Sequence, residues 1–300
     1  MTQRNFLTLS DLSSAELMGI LQRARELKAE LGAGRMPGSR PGRVLAMIFE
    51  KASTRTRVSF ETGMAQLGGH AIFLSPEDTQ LGRGEPVEDT ARVLSKIVDC
   101  VMIRTHDHGV LERFAECSDV PVINGLSEDH HPCQLLADLQ TFIDMRGSIE
   151  GKRVAWIGDG NNMCHSYIEA ARLCRFHLHI ACPDGYGPDA GILQRAGQWC
   201  SVGTDAEAAA AGADLVVTDV WASMGQEQEA RQRMEAFRGY QVDRRLMKMA
   251  ASNALFMHCL PAHRGEEVEA EVIDGPQSVV WEEAGNRLHS QKALLEFLLP

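Results

Sequence analysis

The chain has 300 residues, 44% of them hydrophobic, and a formal net charge of −11 from 30 Lys+Arg against 41 Asp+Glu. Its length exceeds what a single core usually fills and points to two domains of about 150 residues each, while the acidic balance argues against a nucleic acid or an anionic membrane as partner. No run approaches the ~18 uninterrupted apolar residues of a membrane span, and Met1-Thr2-Gln3-Arg4-Asn5 lacks a charged-then-apolar secretory profile, so the expected compartment is the cytoplasm.

In chain order, apolar residues at Leu17, Ile20, Leu21 and Leu27 behind the capping candidates Ser10 and Ser13 predict an opening helix over 13–31. A buried strand follows at 44–49, then a helix at 56–67, a short strand at 71–74, and a charged, glycine-bearing loop at 75–85. Beyond it come helix 87–97, strand 100–103, helix 110–116 and strand 120–123. Pro132 suits the first turn of a helix that runs to 145, where Gly147 stops it. The alternation then repeats: strand 154–157, a glycine turn at 158–160, helix 163–174, strand 178–181, helix 191–200 and an alanine-rich helix 206–211. Strand 215–218, helices 226–237 and 244–249, strand 255–257 and a final helix at 282–298 complete the chain. Strands alternating with helices predict an α/β protein of two domains, 1–147 and 148–300, each a mainly parallel sheet flanked by helices, joined by bridging helices.

Ser53-Thr54-Arg55-Thr56-Arg57 stands between a strand and a helix. A helix N-terminus there offers unpaired N–H groups and the positive end of the helix dipole, and the hydroxyls and guanidiniums add charge-assisted donors, so the segment reads as an anion cradle. The plain alternative is a solvated cap with two surface arginines. Lys51, Arg55 and Arg57 together give a local positive potential on an acidic chain. Gly158-Asp159-Gly160-Asn161-Asn162 invites a dinucleotide reading, but Met163 occupies the place of the third glycine, and no Walker loop is present. Asp219 follows a strand end, where open α/β sheets place ligand groups. The eight cysteines form no Cys-x-x-Cys pair and read as reduced thiols, and the pairs His106/His108, His130/His131 and His177/His179 lack zinc-site spacing, so no metal is expected.

Phe49-Glu50-Lys51-Ala52-Ser53-Thr54-Arg55-Thr56-Arg57, His130-His131-Pro132-Cys133-Gln134, Asp219-Val220-Trp221-Ala222-Ser223-Met224-Gly225 and His258-Cys259-Leu260-Pro261 occur in that order. Together they closely resemble the aspartate/ornithine carbamoyltransferase family, and the last two segments look like its ornithine branch. The resemblance runs from about Leu7 to about Leu295. It implies transfer of a carbamoyl group from carbamoyl phosphate to L-ornithine, giving L-citrulline and phosphate in arginine metabolism, without metal or organic cofactor. It also implies a first domain for carbamoyl phosphate, a second for ornithine, a last helix packing back on the first, a domain rotation that expels water, and a homotrimer or an assembly of trimers.

By the same resemblance Ser53, Thr54, Arg55, Thr56 and Arg57 hold the phosphate, with Gln80 reaching in from a neighbouring subunit. Arg104 and His131 contact the carbonyl oxygen as charge develops, with Gln134 one helical turn on, and Cys259, Leu260 and Arg287 are further carbamoyl-phosphate contacts. Arg104, His131 and Cys259 form the implied catalytic set, whereas Asn162, Asp219, Ser223 and Met224 grip ornithine. Left to themselves, His131 could be a residue at a helix start, Asp219 a strand-end cap and Met224 core. Three alternatives stand beside this reading: another amine such as putrescine, N-acetylornithine or N-succinylornithine; a catalytically silent carbamoyl-phosphate-binding protein; and Cys259 as a covalent nucleophile, which direct attack by an amine on a mixed anhydride does not require. Activity should rise with pH, because the attacking δ-amine must be neutral.

Overall fold

A computed structural model describes residues 4–75, 84–222 and 230–299. Contacts divide the chain into two units, Met1–Gln140 with Gly285–Pro300, and Thr141–Ala284. Two helices named below run across those limits.

The first unit opens with α1 (Ser14–Gly32), started by a reciprocal cap in which Ser13 N–H donates to Glu16 at 2.9 Å and Glu16 N–H donates to the Ser13 hydroxyl at 3.3 Å. β1 (Val44–Phe49) leads into α2 (Thr54–Gln66), and β2 (His70–Leu74) follows. α3 (Val87–Leu94), β3 (Cys100–Arg104), α4 (His108–Cys117), β4 (Val122–Leu126) and α5 (Pro132–Arg146) continue the alternation. The four strands form a parallel sheet in the order β2-β1-β3-β4. Ala46, Ile48, Val101, Ile103 and Val122 from the sheet pack with Leu111 and Phe114 of α4 and Ala91 of α3. Phe6 covers the outer edge of β4, donating to Val122 O and accepting from Asn124 N at 2.8 Å each.

The second unit contains β5 (Arg153–Ile157), α6 (Asn162–Cys174), β6 (His177–Ala181), α7 (Ala190–Ala196), β7 (Cys200–Gly203), α8 (Ala206–Ala210) and β8 (Leu215–Val217). α9 (Ala230–Ala236), α10 (Arg244–Met249), β9 (Leu255–Met257), α11 (Ala270–Ile273) and the start of α12 (Val280–Leu298) follow. Its five strands are parallel in the order β7-β6-β5-β8-β9. Both sheets and their flanking helices match the α/β arrangement expected from the alternation of apolar segments.

Some boundaries differ from the sequence reading. The helix expected over 191–200 ends at Ala196, because Gly197 takes a positive φ of 58° and Cys200–Gly203 then pairs with β6 as an edge strand. The helix expected over 87–97 stops at Leu94, where the Ser95 hydroxyl bonds back to Ala91 O at 2.7 Å. Of the helix expected over 226–237, residues 226–229 lie outside the described residues. Gly160 has a structural reason of its own: a Cβ there would come within 2.2 Å of the Pro188 nitrogen, so this glycine admits the chain's own backbone.

Candidate active site

Because every strand in each sheet is parallel, the segments leaving the strands converge along one edge. The strand order reverses direction between β1 and β3 in the first unit and between β5 and β8 in the second, and such switch points open a crevice for ligands. The sequence-expected residues cluster at both.

In the first unit Ser53, four residues past the end of β1, caps α2: its hydroxyl accepts from Thr56 N and donates to Thr56 Oγ1, at 3.3 and 3.1 Å. Thr54 and Arg55 fill the first turn, where backbone N–H groups lack helical partners. The buried Arg287 guanidinium donates to Thr56 Oγ1 at 2.7 Å and to the Gln134 amide oxygen. Gln134 in turn donates to Asp138 at 2.9 Å, which fixes which end of its amide faces Arg287. One turn along α2, the Ser59 hydroxyl donates to Gln291 at 2.6 Å and repeats the link to α12. Arg57 is more exposed, stacked 3.8 Å over the Phe73 ring and paired with Glu61 at 2.9 Å. Arg104 ends β3, the strand paired with β1. His131 immediately precedes α5, and burial first, then the guanidiniums of Arg287, Arg104 and Arg55, hold its imidazole well below its ordinary value. It is neutral at pH 7, a donor on one nitrogen and an acceptor on the other.

In the second unit Asn161, after β5, caps α6 by accepting from Met163 N and Cys164 N at 3.0 and 3.2 Å, and its amide donates to Asp219 Oδ2 at 2.8 Å. Asp219, after β8, also accepts from its neighbour Val220 N at 2.8 Å and from the Cys259 thiol at 3.2 Å. Cys259 and Leu260 follow β9, and Leu260 sits at a φ of 58°. Asn162 begins α6, and its carbonyl accepts from Ser166 at 2.8 Å. Close by, Asp159 is paired with Arg233, whose guanidinium also donates to Trp221 O and lies 4.9 Å from the Tyr186 ring centroid. Burial pushes the Asp159 carboxyl up to about 6; Arg233 opposes that shift and the charge of Asp219 adds to it. Ligand-type atoms of Asp219, His258 and Cys259 lie within 4.8 Å of one another, but both His258 nitrogens are engaged in hydrogen bonds.

Thus Ser53, Thr56, Gln134 and Arg287 form one connected cluster, and Asp219 with Cys259 forms part of another. Gln80, Ser223 and Met224 lie outside the described residues. The sequence reading singled out Asn162 and passed over Asn161, whose signal was its place as a cap before a helix. It also missed Asp138, spaced i,i+4 from Gln134, and the Asp159–Arg233 pair, whose members are separated by 74 positions.

The first half of the chain, residues 4–144, matches the family described as aspartate/ornithine carbamoyltransferase, carbamoyl-P binding domain, and residues 150–298 match the Asp/Orn binding domain of the same family. The ornithine carbamoyltransferase of Halorhodospira halophila is 68% identical across 99% of both chains, and that of Methylococcus capsulatus is 64% identical across 100% of this chain and 99% of its own. Among solved structures, the ornithine carbamoyltransferase of Burkholderia thailandensis superposes with a TM-score of 0.92 at 53% identity, covering 99% of this chain and 98% of its own. That of Pyrococcus furiosus gives 0.95 at 47% identity, covering 99% and 97%. Two parallel sheets with polar clusters at their switch points, and a likeness that spans the chain from end to end, establish that this protein belongs to the aspartate/ornithine carbamoyltransferase family.

Proposed function

We propose that the chain is a carbamoyltransferase that moves the carbamoyl group of carbamoyl phosphate to the δ-amine of L-ornithine, giving L-citrulline and phosphate. The observation that carries this reading is the division of charge: the guanidiniums of Arg287, Arg104 and Arg55 around His131 at the first switch point and, at the second, Asp219 beside Asp159, of which Asp159 is paired with Arg233. The first suits a phosphate; the second suits an ammonium.

In this reading the α2 N-terminus, Ser53, Thr54, Arg55, Thr56 and Arg57 take the phosphate, with Arg287 held ready by Thr56 and Gln134. Arg104 and the neutral His131 donate to the carbonyl oxygen, where negative charge builds as the δ-nitrogen attacks. The C–N bond forms, the C–O bond to phosphate breaks, its electron pair leaves with the phosphate, and the amine gives up a proton to the departing group. Asp219, together with Asn162, Ser223 and Met224, holds the α-amino acid end of ornithine. Cys259 and Leu260 stand by the reacting groups. Gln80 is assigned to carbamoyl phosphate bound by a neighbouring subunit.

We further infer a homotrimer or an assembly of trimers, acting in arginine metabolism in the cytoplasm. The trimer is what the family resemblance implies, and eight cysteines without a disulfide among the described residues support a reducing compartment. The deciding experiment supplies carbamoyl phosphate with ornithine, putrescine, N-acetylornithine, N-succinylornithine or aspartate and measures each product. Ornithine should exceed every other amine in kcat/KM by at least about 100-fold, the order expected when a buried charged partner is left unmatched. Preference for an amine without a free α-amino group, or no citrulline, overturns the reading.

A further inference from the structure

The loop that carries Cys259 and Leu260 rests on a set of buried side chains that the transfer reaction does not use. His258 and Glu267 have no solvent exposure, and Glu283 almost none. Leu260 N–H donates to His258 Nδ1 at 2.9 Å, so Nδ1 acts as an acceptor and the ring proton belongs on Nε2. Nε2 faces Glu267 Oε1 at 3.2 Å, and that oxygen also accepts from His263 N at 2.5 Å. The His258 backbone N–H is held separately by Glu283 at 3.0 Å.

This chain of donors ends on a strained residue. Leu260 has a φ of 58°, a region that residues with a Cβ disfavour, and the imidazole acceptor is what its N–H meets there. One residue earlier, the Cys259 thiol donates to Asp219. A ring with its proton on Nδ1 would point a donor at the Leu260 N–H and expel it.

We propose that Glu267 is a positioning residue: by fixing the tautomer of His258 it holds Leu260 in its left-handed turn and so keeps the Cys259 thiol on Asp219. The proposal rests on the ornithine reading above, since it supposes that Cys259 and Leu260 flank the reacting groups. It makes the buried Glu267–His258 pair a determinant of turnover without contact to either substrate.

Nitrogen-15 NMR of the full-length protein tests the tautomer directly. The wild-type His258 ring should show a protonated Nε2 and an unprotonated Nδ1, and Glu267→Ala should shift the ring toward a mixture. In the same Glu267→Ala protein kcat/KM for carbamoyl phosphate should fall at least tenfold; Glu267→Gln, whose amide oxygen still accepts from Nε2, should recover most of the loss. Substitutions of His258 separate the two nitrogens. Asn places an oxygen near the Nδ1 position and Gln places its amide near Nε2, so His258→Asn should outperform His258→Gln by at least fivefold. A wild-type ring protonated on Nδ1, the reverse order of Asn and Gln, or a Glu267→Ala enzyme with unchanged kcat/KM for carbamoyl phosphate overturns the proposal. If Glu267→Ala does not fold, the wild-type spectrum and the Asn/Gln order still decide. A wild-type protein that forms no citrulline would sink the substrate reading instead, and the spectrum would judge the positioning claim alone.

Discussion

At the Arg287 side chain, a charged group 2% exposed counts the Thr56 hydroxyl and the Gln134 amide oxygen among the acceptors of its donors. Deleting one acceptor while keeping the volume leaves a buried guanidinium short of a partner. Thr56→Val does that, and a hydrogen bond to a charged group is worth about 1.5–3 kcal/mol, so the KM for carbamoyl phosphate should rise by about 10- to 100-fold. Thr56→Ser should restore most of it. Steady-state kinetics with citrulline as product check this, and a KM within twofold of wild type would remove Arg287 from the phosphate cluster. The motif made Thr56 legible in the sequence because a hydroxyl two residues into a helix is a recognisable anion donor. Its bond to Arg287 was not legible, since 231 positions separate the two and no local pattern encodes which buried acceptor a distant arginine will meet.

At the scale of an element, Asn161 shows one side chain serving a helix and a site together. Its Oδ1 caps α6 and its Nδ2 holds Asp219. Asn and Ser are similar caps, so Asn161→Ser should leave the Tm nearly unchanged while the KM for ornithine rises at least about tenfold, from loss of one charge-assisted bond. Asn161→Ala loses the cap as well and should cost about a further 1 kcal/mol of stability. Thermal unfolding and ornithine titrations separate the two effects; a parallel loss of stability in the Ser variant would show that the cap, not the carboxylate, is what the residue serves. Elements of this kind were legible where a strand ended in an apolar run and a helix began with a capping residue. β7 was not, because Cys200–Gly203 is short, mostly exposed and preceded by a helix whose stop depends on the positive φ of Gly197. An exposed edge strand has no alternating burial to write into its residues.

For the whole molecule, acid should act in opposite directions on the two units. His131, in the first, has a folded-state value held below its ordinary 6.5, so its contribution is present above about pH 6.5 and is lost as pH falls toward the folded value. Asp159, in the second, is raised from 3.8 to about 6, so its contribution is present below 3.8 and is lost as pH rises through 6. Between pH 7 and pH 5 the first unit therefore loses stability with acid, with a limiting slope of about 1.4 kcal/mol per pH unit for a single group, while Asp159 favours the second. Half-buried His179, lowered by burial, offsets part of that gain. Native-state hydrogen exchange, compared between 4–140 and 141–284 at the two pH values, reads this out. His131→Asn should flatten the acid loss in the first unit and Asp159→Asn the gain in the second; equal responses in both units would show that neither group governs the profile. Helix α12 gives the molecule a further property, one of timing. Its first turn belongs to the second unit and Arg287 to the first, so the arginine that bonds Thr56 and Gln134 is translated only after the whole second unit. About 150 residues separate Gln140 from Arg287, roughly 7–30 s of synthesis at ~5–20 residues per second. During that interval a nascent chain can have its first sheet and α2 in place and yet lack Arg287, so if Arg287 serves the phosphate as proposed, tight binding of carbamoyl phosphate should mark a chain whose synthesis has passed that residue.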